Sequence, residues 1–348
     1  MIKTLDLFCG AGGLTIGFRQ AGFETVSAVE IDKTSVETFA AHSPSAEICD
    51  TDIRKVDLKK LRHKVDVVIG GPPCQPFSSG GLRQAEADER NMVPEFIRAI
   101  KEVSPDAFVM ENVPGLTVGA RRMYLDKVMQ EFLSLGYQVS ATVLRAEDYG
   151  VPQKRRRLFV VGMRSRRFRF PAPTHGETGT NYPHVTAGDV LTNAPNGIPN
   201  DAKVYYAKNA DLRPSPYHGL LFNGGGRAIN LAEPAPTIIS SAGGNKTHFI
   251  DTLNVVPEYH AHLMRGGAPL SGPVPGCRRL TARESAIIQS FPEDINFLGP
   301  VSAQYRQIGN AVPPLLAQAV ADSLRDQING ACSNNTMLPE ASVQLSLI

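Results

Sequence analysis

Apolar and polar positions in the first half of the chain alternate between short apolar runs and segments of helical period, the pattern of a doubly wound α/β domain. Thr4 to Phe8 predicts a first strand, Cys9-Gly10-Ala11-Gly12-Gly13 a tight turn, and Leu14 to Ala21 a helix. A second strand over Thr25 to Glu30 leads into a helix through Val36, Phe39 and Ala40. Val65 to Ile69 and Ala107 to Met110 are short and, apart from Asp66, apolar, as strands of a parallel sheet covered on both faces must be. Between them, Ser78 to Asn91 has glycines, an acidic cluster and few apolar anchors, which predicts a mobile loop.

The pattern changes near Arg169. Half of the 26 prolines fall between Arg169 and Gly276, with turn signals at Pro195-Asn196-Gly197 and Asn223-Gly224-Gly225-Gly226, and helical periodicity largely vanishes. A smaller, irregular, β-leaning second domain is expected there. Order returns at Thr281-Ala282-Arg283-Glu284, a capping box opening a helix through Ile287 and Ile288. A last helix after Pro313 and Pro314 carries Leu316, Val320, Leu324 and Ile328 on one stripe, suited to docking back onto the first domain. The residues after Gly330 read as a loosely held tail.

With 348 residues, 42% of them apolar, the chain can bury a sizeable core. Its five cysteines are odd in number, scattered and without a Cys-x-x-Cys pair, which favours a reducing compartment and excludes a disulfide framework or zinc knuckle. His260 and His262 stand without neighbouring ligands, so no metal is expected. No signal peptide or bilayer-length apolar run is present, and the chain reads as soluble and intracellular. The net charge of +2 conceals a basic run from Lys154 to Arg169 with no acidic residue in it. Such a run is either a solvated face or a phosphate-facing edge.

Cys74 follows the Val65 to Ile69 strand in the run Gly70-Gly71-Pro72-Pro73-Cys74-Gln75-Pro76-Phe77. A thiol at a strand's carboxyl end, on a proline-stiffened turn, is either a nucleophile presented to a cleft or a small apolar filler. The glycine-rich turn after the first strand and Glu30 at the tip of the second suit a nucleoside: backbone approach at the turn, ribose hydroxyls on the acid. The turn lacks G-x-G-x-x-G spacing and Phe8 can flank an adenine, which favours S-adenosylmethionine over a nicotinamide. Asp52 either binds the adenine amino group or caps a turn. Glu111, at the end of the Ala107 strand, should neighbour Cys74, because parallel strand tips face one crevice. Enclosed by apolar walls, its carboxyl would hold a proton near neutrality; capping the next loop is the alternative.

Taken together, Asp6 to Gly13, Gly71-Pro72-Pro73-Cys74-Gln75, Glu111-Asn112-Val113, Gln153-Lys154-Arg155-Arg156-Arg157, Arg279 to Glu284 and Gln307-Ile308-Gly309-Asn310-Ala311-Val312 resemble the motifs of the DNA (cytosine-5) methyltransferases, in their usual order. The resemblance implies a Rossmann-like methyltransferase sheet with a β-rich target-recognition domain. It divides the chain into a catalytic and S-adenosylmethionine-binding domain over 1–168, the recognition domain over 169–276, a segment over 277–330 completing the catalytic domain, and a tail over 331–348. Cys74, Glu111, Arg155 and Arg157 would be catalytic, both arginines facing the pocket. Phe8, Gly10, Gly12, Glu30, Ile31, Asp52, Ile53, Pro72, Asn310 and Val312 would hold the cofactor. Ser78, Arg83, Arg227, Thr237, Asn245 and Lys246 would touch double-stranded DNA, from which the target cytosine must be flipped. In the middle domain, Phe222 to Arg227, Pro236-Thr237-Ile238 and Ala242 to Lys246 resemble glycine-rich recognition loops, whose residues are equally turn formers or phosphate contacts.

Rival readings are the branch of the family that modifies transfer RNA and a non-catalytic DNA-binding regulator. The long proline- and glycine-rich middle favours duplex DNA, and intact Cys74, Glu111, Arg155 and Arg157 disfavour the regulator. Almost nothing precedes the first strand, so the expectation is a compact, monomeric bacterial or phage enzyme, working in the cytoplasm and protecting DNA from a separate partner endonuclease.

Overall fold

The computed structural model describes residues 1–73, 90–176, 181–192, 194 and 197–330. In chain order its elements are β1 (Ile2–Leu7), α1 (Gly13–Gln20), β2 (Phe23–Glu30), α2 (Lys33–His42), β3 (Glu47–Asp50), β4 (Val67–Gly70), α3 (Val93–Val103), β5 (Ala107–Asn112), α4 (Ala120–Ser134), β6 (Gln138–Arg145) and β7 (Arg156–Met163). They continue with α5 (Ala187–Leu191), β8 (Tyr206–Asp211), β9 (Leu220–Phe222), β10 (Phe249–Asp251), α6 (Val255–Met264), β11 (Cys277–Arg279), α7 (Ala282–Ile288), α8 (Val301–Asn310) and α9 (Pro314–Ile328). None of the described helices is long and apolar enough to cross a membrane.

Strands β1 to β7 form a seven-stranded sheet in the order β3-β2-β1-β4-β5-β7-β6. Every residue of β4 and β5 is buried, and apart from Glu111 and Asn112 at the end of β5 both read as apolar runs. β1, β2, β4 and β5 run parallel, whereas β7 is antiparallel to both β5 and β6. This one reversal matters for chemistry: Asn112 of β5 pairs with Leu158 of β7, so the amino end of β7 reaches the edge where the parallel strands end. The order reverses between β1 and β4, the switch point at which such sheets open a crevice.

By compactness the chain forms two units, one of Met1–Tyr149, Arg156–Thr174 and the chain from Ala311 on, the other of Gly150–Arg155 and His175–Asn310. Residues 277–310 therefore cluster with the middle of the chain, and the expected catalytic and recognition domains are cut differently from the compact units. In the first unit, α3 buries Val93, Phe96, Ala99, Ile100 and Val103 on one face. Phe96, Phe108 and Phe132 meet edge-on or tilted at 4.2–6.4 Å between centroids, each burial contributing roughly 1.5–3 kcal/mol. α9 packs on α1, where the Arg325 guanidinium donates to the Ala21 carbonyl at 2.7 Å and closes the helix end.

The second unit holds two small antiparallel sheets, β8-β9 and β10-β11, over a core including Phe222, Phe249, Val256 and Tyr259. The capping box at Thr281 and Glu284 is present in both directions, with Glu284 also gripped by Arg278 through two bonds. One element departs from expectation. α6 is a ten-residue helix burying Val256, Tyr259, His260 and Leu263. Pro257 lies in its first turn, where no amide donor is needed, so it does not break the helix.

Candidate active site

Glu111 lies near the end of β5 and is 8% exposed. Its Oε1 accepts from Arg157 Nε at 2.8 Å, and both side chains are nearly buried. The wall around this carboxyl is therefore not purely apolar, as the sequence suggested, because a guanidinium stands against it. Burial pulls the Arg157 pKa down and Glu111 opposes that pull. Oε2 faces the chain leaving β4, 2.9 Å from where a Cβ on Gly71 would stand. The Asn112 amide also donates to the Pro72 carbonyl at 3.0 Å. Gly71 and Pro72, which lead into Cys74, are thus held against the tip of β5. Cys74, Ser78 and Arg83 lie outside the described residues.

At the end of β1, Phe8 and Gly10 take positive φ of 59° and 54°, and Gly12 follows at 83°, a left-handed path that glycine adopts without strain. A Cβ on Gly10 would meet no atom within 4 Å, so the turn is open on that side. Glu30, at the tip of β2, clasps this turn: Oε2 accepts from the Gly10 amide at 2.9 Å, and Oε1 accepts from Ile31 and Asp32 at 2.9 and 2.8 Å. Ile31 beside it is 65% exposed, a large apolar side chain in need of cover. Beneath the turn, Asp6 is fully buried and accepts from the Thr15 hydroxyl at 2.7 Å, while Oδ1 has no hydrogen-bond partner. Burial pushes its carboxyl up to about 7, with Glu30 adding to the rise.

Other expected cofactor residues are differently placed. Asp52 caps a 3₁₀ turn by accepting from the Arg54 amide, and it also binds the Arg54 guanidinium, which holds its carboxyl down at about 2. The Ile53 side chain is in the core and its carbonyl takes Arg98. The Val312 carbonyl packs on Gly13, 2.2 Å from where a Cβ would stand. Asn310 is exposed at the last position of α8, in the second unit.

The second unit gathers the expected DNA-contacting loops. A Cβ on Gly224 would fall 2.1 Å from the Asn245 carbonyl, and one on Gly226 2.0 Å from that of Thr247, so only glycine lets these two loops lie face to face. Arg227, Asn245 and Lys246 are exposed. The Thr237 hydroxyl donates to the Lys154 carbonyl at 2.6 Å. Arg155 is 1% exposed and donates to the carbonyls of Ile238 and Gly309 at 2.8 and 2.7 Å. Gln153 accepts from the Ile238 amide at 3.0 Å. Of the two arginines expected to share one pocket, Arg157 pairs with Glu111, and Arg155 braces a loop of its own unit.

A family model described as C-5 cytosine-specific DNA methylase matches residues 2–326. The chain belongs to the C-5 cytosine-specific DNA methylase family. It is accordingly a DNA (cytosine-5-)-methyltransferase. It is 36% identical over 332 residues to the Type II methyltransferase M1.HphI of Haemophilus parahaemolyticus, covering 92% of this chain and 86% of that protein. It is also 36% identical over 353 residues to M.AplI of Arthrospira platensis, with 96% and 89% covered. Among solved structures it resembles a DNMT2 mutant of Spodoptera frugiperda, with a TM-score of 0.69 at 16% identity over 93% of this chain and all of that one. A putative DNA modification methyltransferase from an E. coli prophage gives 0.65 at 22% identity over 94% and 100%. These two likenesses concern the methyltransferase fold.

The basic run of the methylase divides by position. Arg156 and Arg157 open β7 at the crevice edge, whereas Met163 pairs with Ala107 at the opposite end of β5. Arg164 there is structural: it donates to Pro105, Leu135, Ser104 and Tyr137, over whose ring it stacks at 4.4 Å. Arg166 and Arg167 follow on that far edge, exposed. Sequence reasoning missed three buried residues: Asp6, Arg279 and His248. Arg279 donates to Ala202, Thr247 and Asn223 carbonyls. No spacing or composition signal marks these tertiary bonds.

Proposed function

We propose that the protein transfers a methyl group from S-adenosylmethionine to carbon-5 of a cytosine flipped out of a specific duplex sequence, with Cys74 as nucleophile. The observation carrying this reading is the Glu111–Arg157 pair at the tip of β5, with Gly71 and Pro72 against it. Cys9 and Cys277 make poor rivals, because burial pushes the first thiol well up and the second up to about 12.

The residues at the β1 and β2 tips fit the cofactor. The open space over Gly10 admits a ligand to the turn, exposed Ile31 offers an apolar face to an adenine, and the Glu30 carboxylate retains lone pairs for ribose hydroxyls. When bound, S-adenosylmethionine supplies the methyl group as an electrophile. The chain's own groups make cytosine able to accept it. The Cys74 thiolate adds to carbon-6, which renders carbon-5 nucleophilic. Glu111, in its protonated form, gives its proton to ring nitrogen-3 as the thiolate adds and so neutralises the negative charge that addition creates, while Arg157 fixes its orientation. Loss of the carbon-5 proton and departure of the Cys74 sulfur restore aromaticity. Arg155 serves this chemistry indirectly, by holding the Thr237-Ile238 loop.

The likeness to Type II methyltransferases supports a modification enzyme of a restriction-modification system, acting as a monomer in a bacterial cytoplasm beside a separate endonuclease. The test is trapping. Wild-type protein should form a denaturation-resistant adduct with DNA carrying 5-fluorocytosine at the target mapped by bisulfite sequencing. Cys74→Ala should form none and methylate nothing while still binding DNA. Undiminished trapping by Cys74→Ala would overturn the assignment.

A further inference from the structure

His248 belongs to none of the groups considered so far, yet both nitrogens of its ring are engaged. The backbone N–H of Arg227 donates to Nδ1 at 3.0 Å, and Nε2 stands 3.1 Å from the Thr237 carbonyl. An amide can only donate and a carbonyl can only accept, so the ring is neutral with its proton on Nε2. The imidazole therefore bridges two loops in one fixed orientation. It is 7% exposed, and its charged neighbours Arg227 and Arg279 both disfavour an imidazolium.

Each end of this bridge is itself anchored. The Arg227 carbonyl accepts from the Phe249 amide at 3.1 Å, so its backbone is gripped on both sides by consecutive residues of one chain. The His248 carbonyl accepts from the Leu280 amide at 2.9 Å. At the other end, Thr237 is bound to the Lys154 carbonyl, and Ile238 is held at its amide by Gln153 and at its carbonyl by Arg155. The Arg227 side chain, by contrast, is exposed and has no bonded partner among the described residues. A rigid base thus carries a free guanidinium.

We propose that His248 is a positioning residue for sequence recognition, clamping the Arg227 loop to the Thr237 loop and so fixing where the Arg227 guanidinium is presented to a base edge. The proposal rests on the reading of these loops as the DNA-recognition surface. The clamp has two directional bonds, and a side chain lacking the Nδ1 acceptor frees the Arg227 amide while leaving the guanidinium intact.

The experiment compares methylation of all single-base variants of the mapped target by full-length wild type, Arg227→Ala, His248→Phe, His248→Asn and the double variant Arg227→Ala/His248→Phe. Arg227→Ala should relax preference at one base pair by about tenfold. His248→Phe, of similar shape but without either bond, should relax preference at that same base pair. The double variant should be no more relaxed than Arg227→Ala, since both changes act through one contact. His248→Asn, which keeps an acceptor near the Nδ1 place, should restore most of the preference. If the phenylalanine variant does not fold, His248→Gln, with a donor for Thr237 but no such acceptor, should give the same relaxation. Retained preference in these variants beside a relaxed Arg227→Ala overturns the clamp and leaves the recognition reading standing. An Arg227→Ala enzyme that slows on every sequence alike removes the recognition reading, and the clamp falls with it.

Discussion

Glu111 and Arg227 are both proposed to meet DNA, and the protein fixes their positions by different means. Glu111 stands on a fully buried strand whose register is set by ladders to β4 and β7, so main-chain bonds carry it to the strand tip, where Arg157 pairs with its carboxyl. Arg227 stands on a loop without a ladder of its own, and the positioning falls to side chains: His248 at its amide, Gln153 and Arg155 behind Ile238, Arg279 beneath Thr247. A polar residue at a sheet tip is therefore a good candidate for function. A polar residue in the loop unit is as often structural, however exposed its motif looks in the sequence.

The largest effect should come from the sheet tip. Glu111→Gln keeps the shape of the side chain but removes the charge that pairs with Arg157 and the proton that the proposed reaction moves to ring nitrogen-3. Turnover should fall about a hundredfold to ten-thousandfold, with DNA affinity little changed. Single-turnover methylation beside gel-shift binding measures both, and unaltered turnover would make Glu111 a mere partner for Arg157.

Next should come the loop unit's framework. Arg279→Met preserves volume but leaves three carbonyls without their donor in a site where Arg279 is 2% exposed. A loss of about 3 kcal/mol in stability is expected, seen as a lower urea midpoint. If stability holds and only base preference changes, side-chain positioning in this unit is weaker than argued here.

These contrasts also mark what could be read from sequence. The strands β4 and β5 were legible because burial on both faces leaves runs of apolar residues, and the capping box at Thr281 because it is local. The places of Glu30 at the end of β2 and Glu111 near the end of β5 were legible from the strands that lead to them. The bonds that Arg155 and Thr237 make left no local signal, because the carbonyls engaging Arg155 lie 83 and 154 residues away and the one engaging Thr237 lies 83 away. The helix α6 was hidden by the high proline content around it, although its own proline occupies a permitted turn.

The first unit has its own cost, at Asp6. Its folded pKa of about 7 stands above the ordinary 3.8, so its contribution to stability is full below pH 3.8 and is lost as pH rises through about 7. Asp6→Asn, which still accepts from Thr15 and carries no charge, should stabilise the protein at pH 8 by on the order of 2 kcal/mol and leave it unchanged near pH 3.5. Urea titrations at the two pH values measure this. Equal effects at both would mean that the gain is not electrostatic.

The smallest effect should come from Arg166 and Arg167, whose place in the basic run invites a phosphate contact. They follow β7 past Met163, at the amino end of β5, while Glu111 and the approach to Cys74 lie at the other end. Four residues of strand separate Ala107 from Glu111, about 13 Å at the usual rise, and the two edges face opposite ways. A duplex engaged at the crevice edge has no reason to reach them. Arg166→Ala with Arg167→Ala should therefore leave cognate affinity within about 0.5 kcal/mol, the range of an exposed surface change. The slope of log affinity against log salt should also stay the same, whereas loss of two phosphate contacts would lower it by about 1.8. A reduced slope would put DNA on the far edge of the sheet as well, and would break the division drawn here between a sheet edge built for chemistry and one that is only solvated.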